Sequence, residues 1–183
     1  MTEFYEDPDF GGHKPYIDLT PSAQWGNCIK DEIGDSVWQA IEDHAEARVG
    51  RSCELCKASP KYKGFMGHRA HQFKIECRFE HDVEAMTAIL RRVLHVCIPC
   101  SWAIHLRHAQ LITEENNYGA DWSPENTALK RLAYFHNMSR DQIRIWLSRE
   151  LKTWYEREQI GYPLYMEEAI AAKGTKRLWG TLK

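Results

Sequence analysis

Two pairs of cysteines carry the strongest chemical signal in this sequence. Cys53 and Cys56 form one C-x-x-C pair, and Cys97 and Cys100 form a second. A C-x-x-C turn lets two thiolates reach one ion from a single tight loop, and two such turns complete the four-ligand tetrahedral shell that zinc prefers. The spacing therefore predicts a structural zinc site, which would leave no open coordination position for hydrolysis.

Two other interpretations of the cysteine pairs compete with zinc: a redox pair and two buried thiol pairs. A redox C-x-x-C needs a reactive cysteine at the start of a helix within a βαβ pattern, which this sequence lacks. A disulfide framework is not expected, because the acidic start MTEFYEDPDF has neither the basic nor the apolar region of a secretory signal. Zinc is the cofactor that we expect.

The first cysteine pair is expected to follow a helix directly. Ser36 is suited to the N-cap, with Gln39 three residues later as in a capping box, and Gly50 is suited to the C-terminal end. Between these positions, four apolar residues recur at helical spacing: Trp38, Ile41, Ala45 and Val49. The predicted helix leads straight into the sequence CELC.

Two strands are predicted between the cysteine pairs. The sequence FKIECRF alternates with period two, which is typical of a strand with an apolar and a polar face. The apolar face carries Phe73, Ile75, Cys77 and Phe79, and the polar face carries Lys74, Glu76 and Arg78. By pattern alone ILRRVLHV fits a strand or a helix, but its place before the second cysteine pair favours a strand that pairs with the first.

Helices are predicted after the second cysteine pair. One begins at Cys100, a second is capped by Ser123 with Pro124 at its first position, and a third opens at Ser139 with Gln142 as a capping box. The last two form a helical hairpin. The whole pattern predicts an α+β protein whose zinc core lies between an N-terminal helix and a C-terminal helical hairpin.

Composition places the chain among ordinary globular proteins. Of its 183 residues 43% are hydrophobic and 27% are charged, which is enough for one buried core. The formal net charge of −2 means that nucleic-acid binding would depend on a local basic patch. No apolar run approaches the roughly 18 residues of a membrane span, so we expect an intracellular, cytoplasmic protein. We divide the chain into an extended arm (1–24), a zinc-binding core (25–112), a helical region (113–172) and a basic tail (173–183).

Five segments resemble, in order, the pattern of HNH endonuclease-like proteins, whose ββα-metal core is often held by a C-x-x-C pair on each side. They are LTPSAQWGN (19–27), CELC (53–56), FKIECRFEHD (73–82), VCIPCSWAIH (96–105) and ALKRLAYFHNMS (128–139). The corresponding family motifs include C-E-x-C, L-E-x-H-E-x-W-x-Y-D and L-C-x-x-C-H-x-x-x-H. The resemblance spans most of the chain and implies a treble-clef or ββα-metal zinc core.

The chain departs from this family at the two positions that carry catalytic-type histidines. Glu76 stands where L-E-x-H-E has the histidine that acts as general base, and Ser101 stands where C-x-x-C-H has its histidine. His105 is the remaining metal-ligand candidate of the motif, with His81 as a further candidate. Active members combine one divalent ion with a neutral imidazole base. Glu76 could replace that base beside Mg²⁺ or Mn²⁺, although a carboxylate is a weaker base near neutral pH.

The resemblance implies binding of nucleic acid, with DNA as the expected partner, on a nuclease-like scaffold whose hydrolysis is weak or lost. Cationic residues that could face phosphates, or merely solubilise the surface, are Lys61, Lys63, Arg69, Arg91 and Arg92. Two alternatives stay open. One is a protein-interaction module that binds a partner such as a nuclease complex or a host defence component. The other is an active metal-dependent endonuclease with Glu76 and His105 as catalytic residues. If Glu76 has no catalytic role, it is expected to be a solvated charge beside Lys74 or Arg78.

Overall fold

A computed structural model describes residues 17, 30, 34–50, 52–58, 73–82, 87–119, 121–160, 164 and 165. Within these residues, five helices have defined bounds and accompany a small sheet. The helices are α1 (Asp35–Val49), α2 (Ile98–Ile104), α3 (Leu106–Glu115), α4 (Pro124–His136) and α5 (Arg140–Ile160). The strands are β1 (Phe73–Asp82), β2 (Thr87–Cys97) and β3 (Leu164–Tyr165). The α+β class expected from the sequence is confirmed.

The sheet is an antiparallel hairpin of β1 and β2, to which the two-residue β3 adds in parallel alongside β2. Glu76 lies directly opposite Leu94, and the register shifts between Arg78 and Phe79. Such a bulge locally increases the twist of a hairpin. The prediction that ILRRVLHV forms a strand paired with the first is confirmed.

Two residues of the polar face of β1, Glu76 and Arg78, are more deeply buried than their neighbours on the apolar face, whereas Lys74 is exposed, so the alternative of a solvated Glu76 is wrong. Glu76 and Arg78 are each 8% exposed, whereas Ile75 and Cys77 are half-buried. The reason is that α2 packs over the face that Glu76 shares with Leu94. Alternation identifies the two faces of a strand, but the helix decides which face it covers.

The helix before the first cysteine pair begins two residues earlier than predicted. Its N-cap is Gly34, no side chain caps it, and Ser36 is an exposed residue of the first turn, so the capping box at Ser36 is wrong. Asp35 instead places a negative charge in the first turn, where the helix dipole favours it. The predicted end is confirmed: Gly50 adopts the left-handed conformation at φ 61°, which glycine reaches without steric cost.

The helix predicted after Cys100 is two helices that meet at His105. The backbone of His105 has φ −98° and ψ 57°, which interrupts the helical path between α2 and α3. The two predicted caps further along are confirmed. Ser123 Oγ accepts from the Asn126 amide at 3.1 Å, and Ser139 and Gln142 accept reciprocally from each other's amides.

Among the described residues, α2 contributes to two buried clusters of the core. The first joins the cysteines to the hairpin and consists of Cys53, Leu55, Leu94, Val96, Cys97, Cys100 and Ile104. The second joins α2 and α3 to the helical hairpin and consists of Ala103, Leu106, Ala109, Ala128, Leu132, Ile143 and Leu147. Because Ala103 and Ile104 are adjacent, α2 is fixed between the cysteine cluster and the C-terminal helices.

Candidate metal centre and neighbouring carboxylates

The four cysteines of the two C-x-x-C pairs reach one point from two different local structures. Cys53 and Cys56 lie in a tight turn, closed by the bond from the Lys57 amide to the Cys53 carbonyl at 2.8 Å. Cys97 ends β2, and Cys100 lies in the first turn of α2. The hairpin therefore carries the second pair back to the first.

The geometry of the four sulfur atoms fits a single metal ion. All four Sγ atoms lie within 4.8 Å of one another, and those of Cys56 and Cys97 are 3.7 Å apart. Tetrahedral coordination with zinc–sulfur bonds of about 2.3 Å separates ligand sulfurs by about 3.8 Å. The cysteines are not joined in disulfides. This set could hold a metal ion such as zinc.

The proximity of the thiols shifts their acidity in opposite directions. The hydrogen bond with Cys100 lowers the pKa of Cys53 to about 6 and also lowers the pKa of Cys56. The same contacts, with Cys53 foremost, raise the pKa of Cys100. Thiolate is the form that binds metal, and a bound cation would favour that form at all four positions.

Glu54, between the first two cysteines, is a buried carboxylate that holds their turn in place. It is 2% exposed and binds Arg92 of β2 through Oε1. Its Oε2 accepts from Arg48 of α1 at 2.7 Å and from the His95 amide at 3.4 Å. The Glu54 amide in turn donates to the His95 carbonyl at 2.9 Å. The turn that carries Cys53 and Cys56 is thus bound to both α1 and β2.

The prediction that Arg92 belongs to a phosphate-facing surface is wrong. It is 6% exposed and its guanidinium pairs with Glu54, so it lies inside the protein. Lys61, Lys63 and Arg69 lie outside the described residues, and of Arg91 only the backbone in β2 is described. The segment ILRRVLHV contains no sign of this ion pair, because Glu54, the partner of Arg92, lies on a separate turn of the chain.

Glu76, Ser101 and His105 meet at the junction of β1 and α2. Ser101 Oγ donates to Glu76 Oε1 at 2.5 Å, and His105 Nε2 lies 2.5 Å from Glu76 Oε2. Ser101 is 4% exposed, whereas the His105 side chain is 30% exposed and reaches solvent. Both oxygens of the carboxylate are therefore engaged, one by a buried hydroxyl and one by a partly accessible imidazole.

Sequence reasoning named Glu76 and His105 as site residues but did not foresee the contact of Ser101 with Glu76. The structure brings all three together, and Ser101 directly follows Cys100 of the four-cysteine cluster. The side chain of His81 is outside the described part of the chain, so its proposed ligand role has no geometry here. Glu54 and Arg48 were missed as well; the only sequence signal was an acidic residue inside the turn CELC.

Among the helices in the described part of the chain, none has the length and apolar composition that crossing a bilayer requires.

No family model, no curated protein and no solved structure matches the chain. What the chain itself provides is a four-cysteine cluster suited to a metal ion, next to a buried carboxylate that is bound by a serine and a histidine.

Proposed function

We propose that this chain is a zinc-stabilised, HNH-nuclease-like protein that binds nucleic acid and whose hydrolysis is weak or lost. The observation that carries the proposal is the meeting of Glu76, Ser101 and His105 beside the cysteine cluster. These are the strand and helix positions at which the resemblance places the catalytic-type residues of the family. Their convergence in space is expected if the resemblance reflects a common ββα-metal core.

A structural role for zinc follows from the composition of the cysteine cluster. Four thiolates complete the tetrahedral shell, so the ion would have no open position for water or substrate. Its contribution would be to join the turn at Cys53, the end of β2 and the start of α2. In a treble-clef core such an ion fixes the hairpin against the following helix. Any hydrolysis would require a second, hard divalent ion.

Weak or lost hydrolysis follows from the hydrogen bonds of Glu76. An imidazole base takes a proton from water near neutral pH, and neither Glu76 nor Ser101 supplies one. The remaining imidazole, His105, uses Nε2 to contact Glu76. Since a carboxylate accepts, Nε2 is the donor in this contact and is not the base for an attacking water. The three side chains thus act together as a link between β1 and α2.

A salt titration of DNA binding tests the proposed function. We would measure the affinity for a short duplex and for the matching single strand by fluorescence anisotropy, with zinc content determined by elemental analysis. Binding through phosphates predicts an affinity that falls linearly with the logarithm of salt concentration, with a slope of about −0.9 per phosphate contacted on duplex DNA. Neutralising Lys61, Lys63, Arg69 and Arg91 to glutamine should weaken binding and flatten the slope.

The matched control removes the same number of charges from exposed positions on α4 and α5: Lys130, Arg144, Arg149 and Lys152. This variant should bind DNA with a smaller loss of affinity. Arg92 is left intact in both variants because its charge is buried against Glu54. Salt-independent binding, or equal losses in the two variants, would remove the basic-patch proposal.

An active metal-dependent endonuclease is the second candidate, favoured by the contact between a carboxylate and a partly exposed imidazole. Glu76 Oε2 and His105 Nε2 are 2.5 Å apart, and oxygen and imidazole ligands together suit a divalent ion such as Mn²⁺. Plasmid cleavage in Mg²⁺ or Mn²⁺ that disappears in Glu76→Ala and His105→Ala would establish this candidate. Zinc-loaded protein that binds DNA without cutting it would support the first.

A further inference from the structure

A cavity of about 410 Å³ lies between α1 and the β1–β2 hairpin. It is on the side of the sheet that Ile75 shares with His95, and successive side chains of a strand point to opposite faces, so it lies away from Glu76. Its volume is within the roughly 300–1,000 Å³ that is typical of ligand sites. None of the four cluster cysteines lines the cavity, so it is distinct from the candidate metal centre.

The charged side chains around this cavity are mainly acidic. Glu42, Asp43 and Glu46 of α1 line it; Lys74 lines it as well, but strand alternation places its side chain on the Glu76 face of β1. Glu42 Oε1 accepts from the Trp38 indole at 2.8 Å, and Asp43 Oδ1 accepts from the Gln39 amide at 3.0 Å. Each of these contacts uses one carboxylate oxygen and orients the group. The cavity therefore favours a cationic occupant.

His95 provides an independent sign of a ligand in the same cavity. Its residue is 7% exposed, and its Nδ1 lies 3.2 Å from the Ser52 carbonyl, which can only accept. Nδ1 therefore carries the hydrogen, and Nε2 is an acceptor. Throughout the described ranges no hydrogen-bond partner reaches Nε2, while the ring lines the cavity. The residue as a whole is largely buried, and Nε2 is left as an acceptor for a donor of the occupant.

Aromatic and aliphatic side chains complete the lining. Phe73 stacks on His95 with ring centroids 4.7 Å apart and an interplanar angle of 13°, which fixes the orientation of the imidazole. Trp38 and Ile75 provide further apolar surface. A flat cation with an apolar stem suits this combination, because aromatic faces attract cations and the stem packs on apolar groups.

We propose that this cavity binds an arginine side chain presented by a partner polypeptide. The guanidinium is planar, stacks on aromatic rings, and carries five N–H donors that can serve carboxylates and the His95 acceptor together. Lysine offers a compact charge without the flat surface, so it should bind more weakly. This site is independent of DNA binding, and it gives the protein a second surface for a basic partner.

A peptide titration followed by NMR tests the proposal on the full, zinc-loaded chain. The probe is Gly-Gly-Arg-Gly-Gly, compared with peptides in which citrulline or lysine replaces arginine. Citrulline keeps the shape of arginine without its charge. The arginine peptide should shift the Trp38 indole N–H and the Ile75 amide, and the citrulline peptide should bind at least about tenfold more weakly, as expected for the loss of charge-assisted hydrogen bonds.

A matched pair of double variants locates the effect in the protein. Glu42→Gln with Asp43→Asn removes two cavity charges but keeps hydrogen-bond acceptors for Trp38 and Gln39. Glu114→Gln with Asp141→Asn removes two charges whose side chains are 66% and 87% exposed on other helices. We expect about a tenfold loss of arginine-peptide affinity in the first variant only. Equal binding of citrulline and arginine, equal losses in both variants, or shifts confined to other residues would overturn the proposal; the NMR spectrum itself reports whether each variant is folded.

Discussion

The carboxylate of Glu54 binds the guanidinium of Arg92 on β2, with both side chains buried beside the cysteine cluster. Glu54 sits between two cysteines of the candidate metal centre, and its other oxygen binds Arg48 of α1. The position of the first cysteine turn is thus determined by ionic contacts with two other elements, in addition to any metal ion. The energetic importance of this arrangement can be tested separately from the metal.

Replacing Glu54 by glutamine should destabilise the protein strongly. The substitution removes the Glu54 carboxylate from the charged, buried Arg92, and breaking a buried ion pair from one side typically costs about 3–5 kcal/mol. The free energy of unfolding should be measured by urea denaturation with zinc in constant excess, so that metal binding does not differ between samples. Glu114→Gln is the control: that carboxylate is exposed, 3.9 Å from Arg107, and its loss should change stability by no more than about 0.5 kcal/mol. Equal effects of the two substitutions would refute a structural role for the Glu54 ion pair.

Replacing Cys100 by serine should abolish stoichiometric metal binding. All four thiol groups lie within 4.8 Å of one another, so removing one leaves an incomplete shell. Elemental analysis should find about one zinc per chain in the unaltered protein and far less in this variant. Cys77→Ser is the matched control, because Cys77 lies on β1 outside the cluster and its loss should leave the metal content unchanged. Full metal content in Cys100→Ser would show that the cluster is not the site.

Chelation should loosen the region that the cysteines join. Zinc binding contributes directly to folding where ligands come from separate segments, and here they come from a turn, a strand and a helix. Hydrogen exchange should therefore quicken at Leu94 and Val96 more than at Leu132 and Ile143, which belong to the second cluster. Uniform loss of protection, or none, would contradict this division of the core.

Ser101→Ala should cost about 1–3 kcal/mol of stability, because it leaves one oxygen of the buried Glu76 carboxylate without its donor. A double-mutant cycle with Glu76→Gln isolates the contact. We expect a coupling energy of about 0.5–3 kcal/mol between the two positions. Additive effects would mean that the 2.5 Å contact contributes nothing specific.

Ser123→Ala should destabilise the protein by about 1 kcal/mol, since Ser123 caps α4 through the Asn126 amide. Thermal or urea unfolding gives the value. Ser148→Ala is the control on α5, where an exposed hydroxyl donates to the Ile145 carbonyl of its own helix. Alanine favours helix interiors, so this change should be neutral or slightly stabilising. A larger loss at Ser148 than at Ser123 would overturn the capping prediction.

Local sequence determined the features that depend on local contacts. The four cysteines could be named from their spacing, because a C-x-x-C turn brings two thiols together whatever the rest of the chain does. Ser123, Ser139 and Gln142 were recognised as caps for the same reason: their hydrogen bonds reach only three residues along the chain. Strand alternation likewise identified β1 without knowledge of its partner.

Tertiary structure alone decided which polar groups are buried and what they bind. From the sequence, Glu76 was either a catalytic candidate or a solvated charge, and Arg92 was a phosphate-facing or solubilising charge. The packing of α2 on one face of the hairpin encloses Glu76, and the cysteine turn encloses Arg92. Their partners lie 25 and 38 residues away along the chain. A charge is buried only where a compensating group meets it, and that meeting depends on how the helices and the hairpin pack, which no local pattern encodes.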